Sequence, residues 1–372
     1  MKHIYLDYNS TTPLDPKVLE SMLPYFTQEF GNAASSTHRY GWVAKDAVES
    51  ARQQVAELIG AEKGEIIFTS GATESINLAL QGIYNLFKKE KNHLITVKTE
   101  HKAVLDVHAF LEREGAEVTY LSVDASGRID LNELEKSITA KTALVSVMLA
   151  NNETGVIQDI EKIAAMVHAR NSILFSDATQ AVGKMRVNVN ELGIDVMPLS
   201  AHKIYGPKGV GALYLRRKSP RVRAVPMMYG GGHENGLRSG TLNVPGIVGL
   251  GKACAILEIE NESERLSQLK KELLKGLLDK GFVSNVSLEN TLENTLSLRH
   301  KEIIASELLV KTRALAYALG SACNSADPSP SHVLSAMGLD EKQIRCSIRL
   351  SLGRYTTSAD IAQILNIFHT AI

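Results

Sequence analysis

The feature that most constrains this chain is an alternation of short apolar runs and longer helical segments between about residues 65 and 215. Runs rich in Val, Ile and Leu predict strands at EIIFTS, HLITVK, EVTYLSV, ALVSVML, ILFSD, DVMPLS and VGALYL. Helices are predicted between several of them, over 73–88, 102–114, 131–138 and 159–170. Strands separated by helices of this length usually pair in parallel. We therefore expect an α/β protein whose mostly parallel sheet is covered by helices on both faces.

After residue 245 the pattern changes. Residues 245–280 predict a long helical connector, and further segments follow it: strands at 294–299 and 345–351, and helices at 302–311, 331–337 and 358–369. We predict a large domain over 13–255 and a smaller α/β domain over 256–372, with residues 1–12 packing against the smaller one.

Charge and hydropathy exclude several classes of protein. Lysine plus arginine equals aspartate plus glutamate, 41 against 41, so we expect no direct binding to nucleic acid through bulk charge. The one basic run, RRKSPRVR at 216–223, is predicted to be a solvated surface loop. No apolar run approaches the length of a membrane span, and the amino terminus lacks the apolar core of a secretory signal. The predicted compartment is the cytoplasm.

The three cysteines point to thiol chemistry rather than to a disulfide framework. Cys254, Cys323 and Cys346 are few, odd in number and far apart, so neither disulfides nor a metal site is expected. Cys254 lies in an apolar helical segment and Cys346 in a predicted strand, which suggests packing roles. Cys323 lies in a Gly-, Ser- and Ala-rich segment that predicts a mobile loop, and we expect its thiol to be the reactive one.

Polar residues follow five of the predicted strands. They occur in SGATES, TEHK, NNETG, DATQ and AHKIYGPKG. Each could be a turn, a helix cap or a surface charge when taken alone. Because ligands of open parallel sheets bind at the carboxyl ends of the strands, the ordered set predicts a binding site at that edge.

These residue types suit pyridoxal 5′-phosphate. That cofactor needs a lysine for a Schiff base, a carboxylate at its ring nitrogen, a phosphate cup, a stacking face and a donor to its ring oxygen. The residues predicted to fill these roles are Lys203, Asp177, Ala72 and Thr73 with Ser200 and His202, then His101, and Gln180.

The motifs together resemble a known family. SGATES, TEHKAV, NNETG, DATQAVG, AHKIYGPKG, GGGHENGLRSGT, GSACNSA and SIRLSLGR occur in this order over essentially the whole chain. In this respect the chain resembles the NifS/IscS-type cysteine desulfurases. The resemblance implies a fold-type I pyridoxal-phosphate enzyme, a homodimer and L-cysteine as the substrate.

The resemblance also assigns roles to single residues. It implies that Lys203 carries the cofactor, that His101 stacks on it, and that Asn152 and Arg349 hold the substrate carboxylate. It further implies that Thr241 reaches the cofactor phosphate of the partner subunit.

The reaction implied by the resemblance converts L-cysteine to L-alanine. A base, Lys203 or His101, removes the Cα proton, and the Cys323 thiolate attacks the substrate sulfur and keeps it as a persulfide. An acceptor protein then receives the sulfur for iron–sulfur cluster assembly, tRNA thiolation or DNA phosphorothioate modification.

Two departures from the family pattern bear on these expectations. Ala201 stands where a glycine is common, and its methyl group is expected to shift the phosphate cup slightly at most. The sequence ends at Ile372, without the longer tail with which housekeeping members dock an iron–sulfur scaffold. On that ground we expect an acceptor that is not, or not only, such a scaffold.

Two other functions are compatible with the same motifs. An aminotransferase of this fold type would need no loop cysteine and would release an oxo acid. A non-catalytic subunit would keep the cofactor for folding or serve as an assembly platform. Intact Lys203 and Cys323 argue against the second alternative.

Overall fold

The computed structural model describes residues 3–320 and 330–372. Its strands are β1 (Ile4–Tyr5), β2 (Ile66–Thr69), β3 (His93–Val97), β4 (Glu117–Leu121), β5 (Thr142–Ser146), β6 (Ile173–Phe175), β7 (Val196–Ser200), β8 (Gly211–Leu215), β9 (Phe282–Ser284), β10 (Thr295–His300), β11 (Leu315–Ala316), β12 (Ala318–Leu319) and β13 (Ser347–Ser351). Its α-helices are α1 (Pro16–Met22), α2 (Pro24–Thr27), α3 (Arg39–Ile59), α4 (Ala72–Phe87), α5 (Lys102–Arg113), α6 (Leu131–Ser137), α7 (Ile160–His168), α8 (Val244–Ala255), α9 (Ile259–Leu278), α10 (Ala305–Lys311), α11 (His332–Ala336), α12 (Glu341–Arg345) and α13 (Ser358–Ala371).

The larger sheet has seven strands in the order β2-β8-β7-β6-β5-β3-β4. The strands from β7 to β4 pair in parallel, whereas β8 is antiparallel to both of its neighbours, β2 and β7. The carboxyl ends of the parallel strands therefore meet at one edge, where a ligand site is expected. The predicted α/β fold with a mostly parallel sheet is confirmed.

Alternate residues of each strand enter different cores because strand side chains point to opposite faces. Along β2, for example, Ile66 and Phe68 join one apolar cluster while Ile67 joins another. Helices α3, α7 and α8 cover the first face, and α4 and α5 cover the second. This two-sided burial explains why the strands read as nearly continuous apolar runs.

The carboxyl-terminal part of the chain builds a second sheet and a separate core. Strands β12-β13-β10-β9 pair in that order, all antiparallel, and α9 and α13 pack on them. Strand β1 pairs in parallel with β11, so the amino terminus contributes Ile4 and Leu6 to this second core. We propose the division at 13–255 and 256–372, with 1–12 joining the smaller part, as the domain boundaries of the chain.

Most predicted elements between 65 and 215 coincide with observed ones. Outside that range, three features differ from the prediction. Helix α3 had not been predicted, although Val48, Val55 and Ile59 lie on its buried face. The predicted connector over 245–280 is two helices, interrupted at 256–258. The predicted helix at 302–311 begins only at Ala305.

Two surface expectations can be compared with the structure. Residues 216–223 form neither helix nor strand and are mostly exposed, as predicted for a surface loop. Within residues 3–320 and 330–372, no helix is long and apolar enough to span a bilayer.

Candidate active site

A cavity of about 640 Å³ opens at the carboxyl edge of the large sheet. Of the predicted site residues, those that line it are Ala72, Thr73, His101, Asn152, Asp177, Gln180, Ser200, His202, Lys203 and Arg349. Thr241 is exposed and does not line it, and Cys323 lies outside the described residues. The structure thus brings together residues up to 277 positions apart in the chain, while their individual roles remain predictions.

The cavity has two walls. The strand-end wall consists of residues at or after the ends of strands of the large sheet: Gly71, Ala72, Thr73, His101, Asn152, Asp177, Gln180, Ser200, His202 and Lys203. The N-terminal wall consists of Asn9, Ser10 and Thr11, which follow β1, together with Arg349 of β13.

The amino end of α4 forms one end of the strand-end wall. Gly71 precedes the helix with φ +153°, a conformation that glycine adopts readily, and no side chain caps the helix there. The first-turn N–H groups of a helix have no intrahelical partner and carry the positive end of its dipole, so they suit an anion. Beneath this turn, a Cβ on Gly211 would lie 2.7 Å from Gly71 Cα, so only glycine lets β8 pass this close.

His202 links the two walls at the same end of the cavity. Its Nδ1 lies 3.1 Å from Thr11 Oγ1, and its backbone carbonyl accepts from Thr12 N at 2.9 Å. Burial, followed by the cations of Lys203 and Lys208, lowers the pKa of His202 to about 4. The imidazole is therefore neutral at pH 7 in the cofactor-free protein.

His101 caps helix α5. Its Nδ1 accepts a hydrogen bond from Ala103 N at 3.1 Å, so the proton of the neutral ring lies on Nε2. Burial lowers the pKa of His101, the Asp177 carboxylate opposes this, and the Lys203 cation adds to it. The ring is thus neutral and presents an N–H group rather than an imidazolium.

A second carboxyl group lies behind Asp177. Asp177 Oδ1 accepts from Thr179 N at 2.9 Å. Fully buried Glu100 accepts from Met148 N, and both burial and the Asp177 charge raise the pKa of Glu100 well above its ordinary value. Since a buried carboxyl beside a second carboxyl is hard to ionise, Glu100 is in its protonated form at neutral pH. Glu100 had not been assigned a role from sequence.

Lys203 follows β7 in a short 3-10 turn and reaches across the cavity. Its Nζ donates to the backbone carbonyls of Asn9 and Ser10, at 2.6 Å each. The amine of the strand-end wall is thus held against the N-terminal wall. Asn9, Ser10 and Thr11 were missing from the predicted site residues; a polar run directly after a short strand was the signal that could have revealed them.

Arg349 is the cation of the N-terminal wall. Its Nη2 donates to Asp7 Oδ1 at 2.6 Å and its Nη1 donates to the backbone carbonyl of Asn152 at 2.9 Å. Its Nε has no hydrogen-bond partner among residues 3–320 and 330–372. A guanidinium carries five N–H donors, so this one retains capacity for a carboxylate ligand.

The two described cysteines and Ala201 lie away from the cavity. Burial raises the pKa of Cys254 to about 12 and also raises that of Cys346, so both thiols stay protonated at neutral pH. The Ala201 methyl group is fully buried and packs towards Gly206, where an added Cβ would lie 2.8 Å from it. It does not enter the phosphate end of the cavity.

Comparison with known proteins places the chain in a family. The protein-family model described as "Aminotransferase class-V" matches residues 4–364. The chain belongs to the class-V aminotransferase family. The chain is 49% identical to a protein of Photorhabdus laumondii named "Cysteine desulfurase IscS", over 99% of this chain and 92% of that one.

Two solved structures are similar to the chain. One, described as "NIFS-LIKE PROTEIN", has a TM-score of 0.92 at 38% identity and covers 99% of this chain and 98% of its own. The other, "SspA in complex with cysteine", has a TM-score of 0.85 at 38% identity and covers 95% and 99% respectively. The chain is an enzyme of a family that depends on pyridoxal 5′-phosphate.

The residues present fit that cofactor. The cavity volume falls within the range of about 300–1,000 Å³ typical of small-molecule sites. The Asp177 carboxyl group, a lysine amine and an uncapped helix amino terminus line the same cavity. Thr179 Oγ1, which also borders it, is buried without a hydrogen-bond partner in the described part of the chain, as expected beside a polar ligand. No group of three or more His, Cys, Asp or Glu side chains in residues 3–320 and 330–372 is arranged to hold a metal ion.

Proposed function

We propose that this chain is a cysteine desulfurase, which converts L-cysteine to L-alanine and keeps the sulfur on Cys323 as a persulfide. The observation that carries the proposal is the placement of the Lys203 amine and the Arg349 guanidinium on facing walls of one cavity. An amino acid can then present its carboxylate to one wall and its Cα to the other. Cysteine, rather than another amino acid, is favoured by the relatives described above.

The strand-end wall holds the cofactor. Lys203 would bond it covalently, Asp177 would face its ring nitrogen, and the amino end of α4 with Ser200 and His202 would receive its phosphate. When bound, pyridoxal phosphate supplies an electron-poor ring that stabilises negative charge at the substrate Cα. Neutral His101 would offer a ring face and an Nε2–H donor, and it would bring no positive charge of its own.

The N-terminal wall binds the substrate. Arg349 takes the substrate carboxylate in place of part of its present bonding to Asp7 and Asn152. The Lys203 amine would remove and return the Cα proton. The carbonyls of Asn9 and Ser10, which accept its Nζ now, define where that amine rests.

Sulfur transfer uses the Cys323 thiolate as the nucleophile. An S–S bond forms between Cys323 and the substrate sulfur while the substrate Cβ–S bond breaks, and its electron pair stays with the carbon skeleton. Protonation of that skeleton gives alanine, so cysteine and a thiol become alanine and a persulfide without an added oxidant or reductant.

Replacing each cysteine by serine and measuring the alanine released tests this proposal. The Cys323→Ser variant should bind cofactor and L-cysteine but release almost no alanine or sulfide, because a hydroxyl is a far weaker nucleophile than a thiolate at neutral pH. The Cys254→Ser and Cys346→Ser variants are matched controls and should stay active. After incubation with cysteine and alkylation, mass spectrometry should find the extra sulfur on the peptide that contains Cys323. Normal turnover by the serine variant, or an oxo acid as the product, would instead indicate an aminotransferase or lyase.

The enzyme is proposed to work as a homodimer. Phe26, Phe30, Trp42 and Tyr229 are large apolar side chains with 53–81% exposure, which is unusual for surfaces that stay in water. Thr241 lies outside the cavity of its own chain, as expected for a residue that serves the partner subunit's site. Sedimentation at micromolar concentration should give the mass of two chains; a fully active monomer would contradict this.

The destination of the sulfur is proposed to be an acceptor protein in the cytoplasm. The candidate pathways for this acceptor protein are iron–sulfur assembly, tRNA thiolation and DNA phosphorothioate modification. Given the balanced charge, any role in DNA modification should run through partner proteins rather than through direct DNA binding. Labelled sulfur on Cys323, followed into bound proteins after a pull-down, identifies the acceptor.

A further inference from the structure

A second lysine lies between the two walls of the cavity without touching the substrate space. Lys184 is half-buried, four residues after Gln180, and does not line the main cavity. Its Nζ donates to Asn9 Oδ1 at 2.9 Å and to Gln180 Oε1. One amine therefore holds an amide from each wall.

Backbone carbonyls fix the orientation of both amides. The Asn9 carbonyl accepts from Gln180 Nε2 at 2.8 Å, and the Asn152 carbonyl accepts from Asn9 Nδ2 at 3.2 Å. A carbonyl oxygen can only accept, so each amide must turn its NH₂ group towards it and its oxygen the other way. Both oxygens then face Lys184, which donates to each of them, and the Asn9 oxygen also accepts from Asn294 Nδ2 at 2.9 Å.

Lys184 has no carboxylate partner in the described part of the chain, and its two hydrogen-bond acceptors are amide oxygens. The carboxylates of Glu262 and Glu293 line a small neighbouring cavity, but neither forms an ion pair with Lys184. Burial lowers the pKa of Lys184 well below 10.5, and the cations of Lys203 and Arg349 lower it further. Lys184 therefore does not stabilise the described part of the fold as a member of an ion pair.

We propose that Lys184 is a positioning residue: it holds the Gln180 amide with its oxygen turned away, so that the Gln180 N–H faces the cofactor. The argument holds for a charged or a neutral amine because only its N–H donors are used. It rests on the proposed role of Gln180 as the donor to the cofactor ring oxygen. Through Asn9, the same amine also supports the carbonyl that receives the Lys203 Nζ.

The absorbance of the bound cofactor reports this directly. Loss of a proton from the lysine-bound cofactor leaves more negative charge on it, and an N–H donor or a nearby cation stabilises that form. Removing Lys184 takes away one of the two contacts that orient the Gln180 amide, and the Asn9 carbonyl alone holds its N–H donor less firmly towards the cofactor. The pH at which the spectrum changes should therefore rise.

The test compares Lys184→Met with Lys270→Met in the cofactor-loaded enzyme, without cysteine. Lys270 is the matched control: it is buried, its pKa is also lowered by burial, and its Nζ donates to Thr291 Oγ1 and to the Leu292 carbonyl, away from the main cavity. Both variants should lower the melting temperature. Only Lys184→Met should raise the spectral midpoint, by about one pH unit, and speed cofactor loss on dialysis.

An unchanged midpoint in Lys184→Met would overturn the inference and leave Lys184 a structural residue. If Lys184→Met does not fold, the Lys184→Gln variant takes its place. Its polar side chain is shorter, and it should show the same rise in the spectral midpoint. A Gln180→Met background adds a second criterion, because a residue acting through Gln180 should cause no further shift there. The proposed function fails separately, if the wild-type enzyme titrates normally but forms no alanine from cysteine.

Discussion

The two walls of the cavity are built in different ways. Each residue of the strand-end wall lies at or after the end of a strand of one sheet, within a few positions of that end. The N-terminal wall joins Asn9 to Arg349, which belong to opposite ends of the chain and are held by bonds such as Asn9 N to Ser351 Oγ at 3.0 Å.

This difference suggests a division of labour. Parallel strands fix their carboxyl ends rigidly, which suits groups that must hold a cofactor in one geometry. The N-terminal wall is secured by contacts between the two cores, so its position depends on how these pack. We therefore expect changes in the strand-end wall to affect chemistry and changes in the N-terminal wall to affect binding.

The largest effect is expected for Lys203→Ala. Loss of the amine removes the bond to the cofactor and the base for the Cα proton, so kcat should fall by about 10³-fold or more. The visible absorbance of lysine-bound cofactor should vanish. Lys208→Ala is the control, since Lys208 lines the same cavity but is exposed, and it should keep the absorbance. Reductive trapping of the cofactor on any other lysine would contradict the assignment of Lys203 as the lysine that bonds it.

A smaller effect, of a different kind, is expected for Arg349→Lys. Lysine keeps the charge near Asp7 but lacks the planar fork that binds a carboxylate with two bonds. KM for cysteine should rise about 10- to 100-fold while kcat changes little, as steady-state kinetics would show. Arg354→Lys is the matched control, because Arg354 is paired with Asp15 and Glu262 outside the cavity. A fall in kcat with unchanged KM would place Arg349 in the chemistry instead.

The third effect concerns pH and the contact between the walls at His202. In the cofactor-free protein the folded pKa is about 4, against 6.5 for an ordinary histidine, so between these values the unfolded chain binds a proton that the folded chain does not. Stability should therefore fall as pH drops from 6.5 towards 4. Because His202 is partly exposed, screening limits its share to about 1 kcal/mol.

The His202→Asn variant, whose amide can still reach Thr11, should lose less stability over that pH range than the wild type in thermal melts. Exposed His369, replaced by Asn in the same way, serves as the control and should leave the pH profile unchanged. Parallel profiles for wild type and His202→Asn would show that the imidazole titrates normally.

The smallest effect is expected for Ala201→Gly. The methyl group is buried against Gly206 and does not border the cavity, so cofactor affinity should stay within about twofold of the wild type. Stability should fall by about 0.5 kcal/mol because glycine has more freedom in the unfolded chain. Cofactor titration and a denaturant melt measure the two quantities. A clear gain in affinity would mean that the methyl group does disturb the phosphate end.

Sequence reasoning reached the strand-end wall because its rule is local. His101, Asp177 and Lys203 each follow an apolar run, and the edge at which such runs end is known once the strands are parallel. The N-terminal wall obeys no such rule. Only the family resemblance pointed to Arg349. The polar run after β1 is a weak local signal for Asn9, and nothing local marks Lys184.

Two errors in the fold have different causes. Helix α3 carries an apolar stripe at helical spacing, with Ala44, Val48, Ala51 and Val55 buried, so the signal was present and overlooked. The break at 256–258 carries no glycine or proline, and the helix on either side packs in a different core. There tertiary packing decides where α8 ends and α9 begins, which periodicity does not reveal.

The pairing of β1 with β11 has a consequence for biosynthesis. Ile4 pairs with Leu315, so the first strand has no partner until 311 further residues have been made. At roughly 5–20 residues per second, a ribosome needs roughly 15–60 seconds for that stretch. The strands of the large sheet are complete by Leu215, well before then. Ile4 and Leu6, both buried in the finished protein, stay exposed on the nascent chain meanwhile. The cavity therefore gains its N-terminal wall last, and a nascent chain can complete its proposed substrate site only near the end of its synthesis.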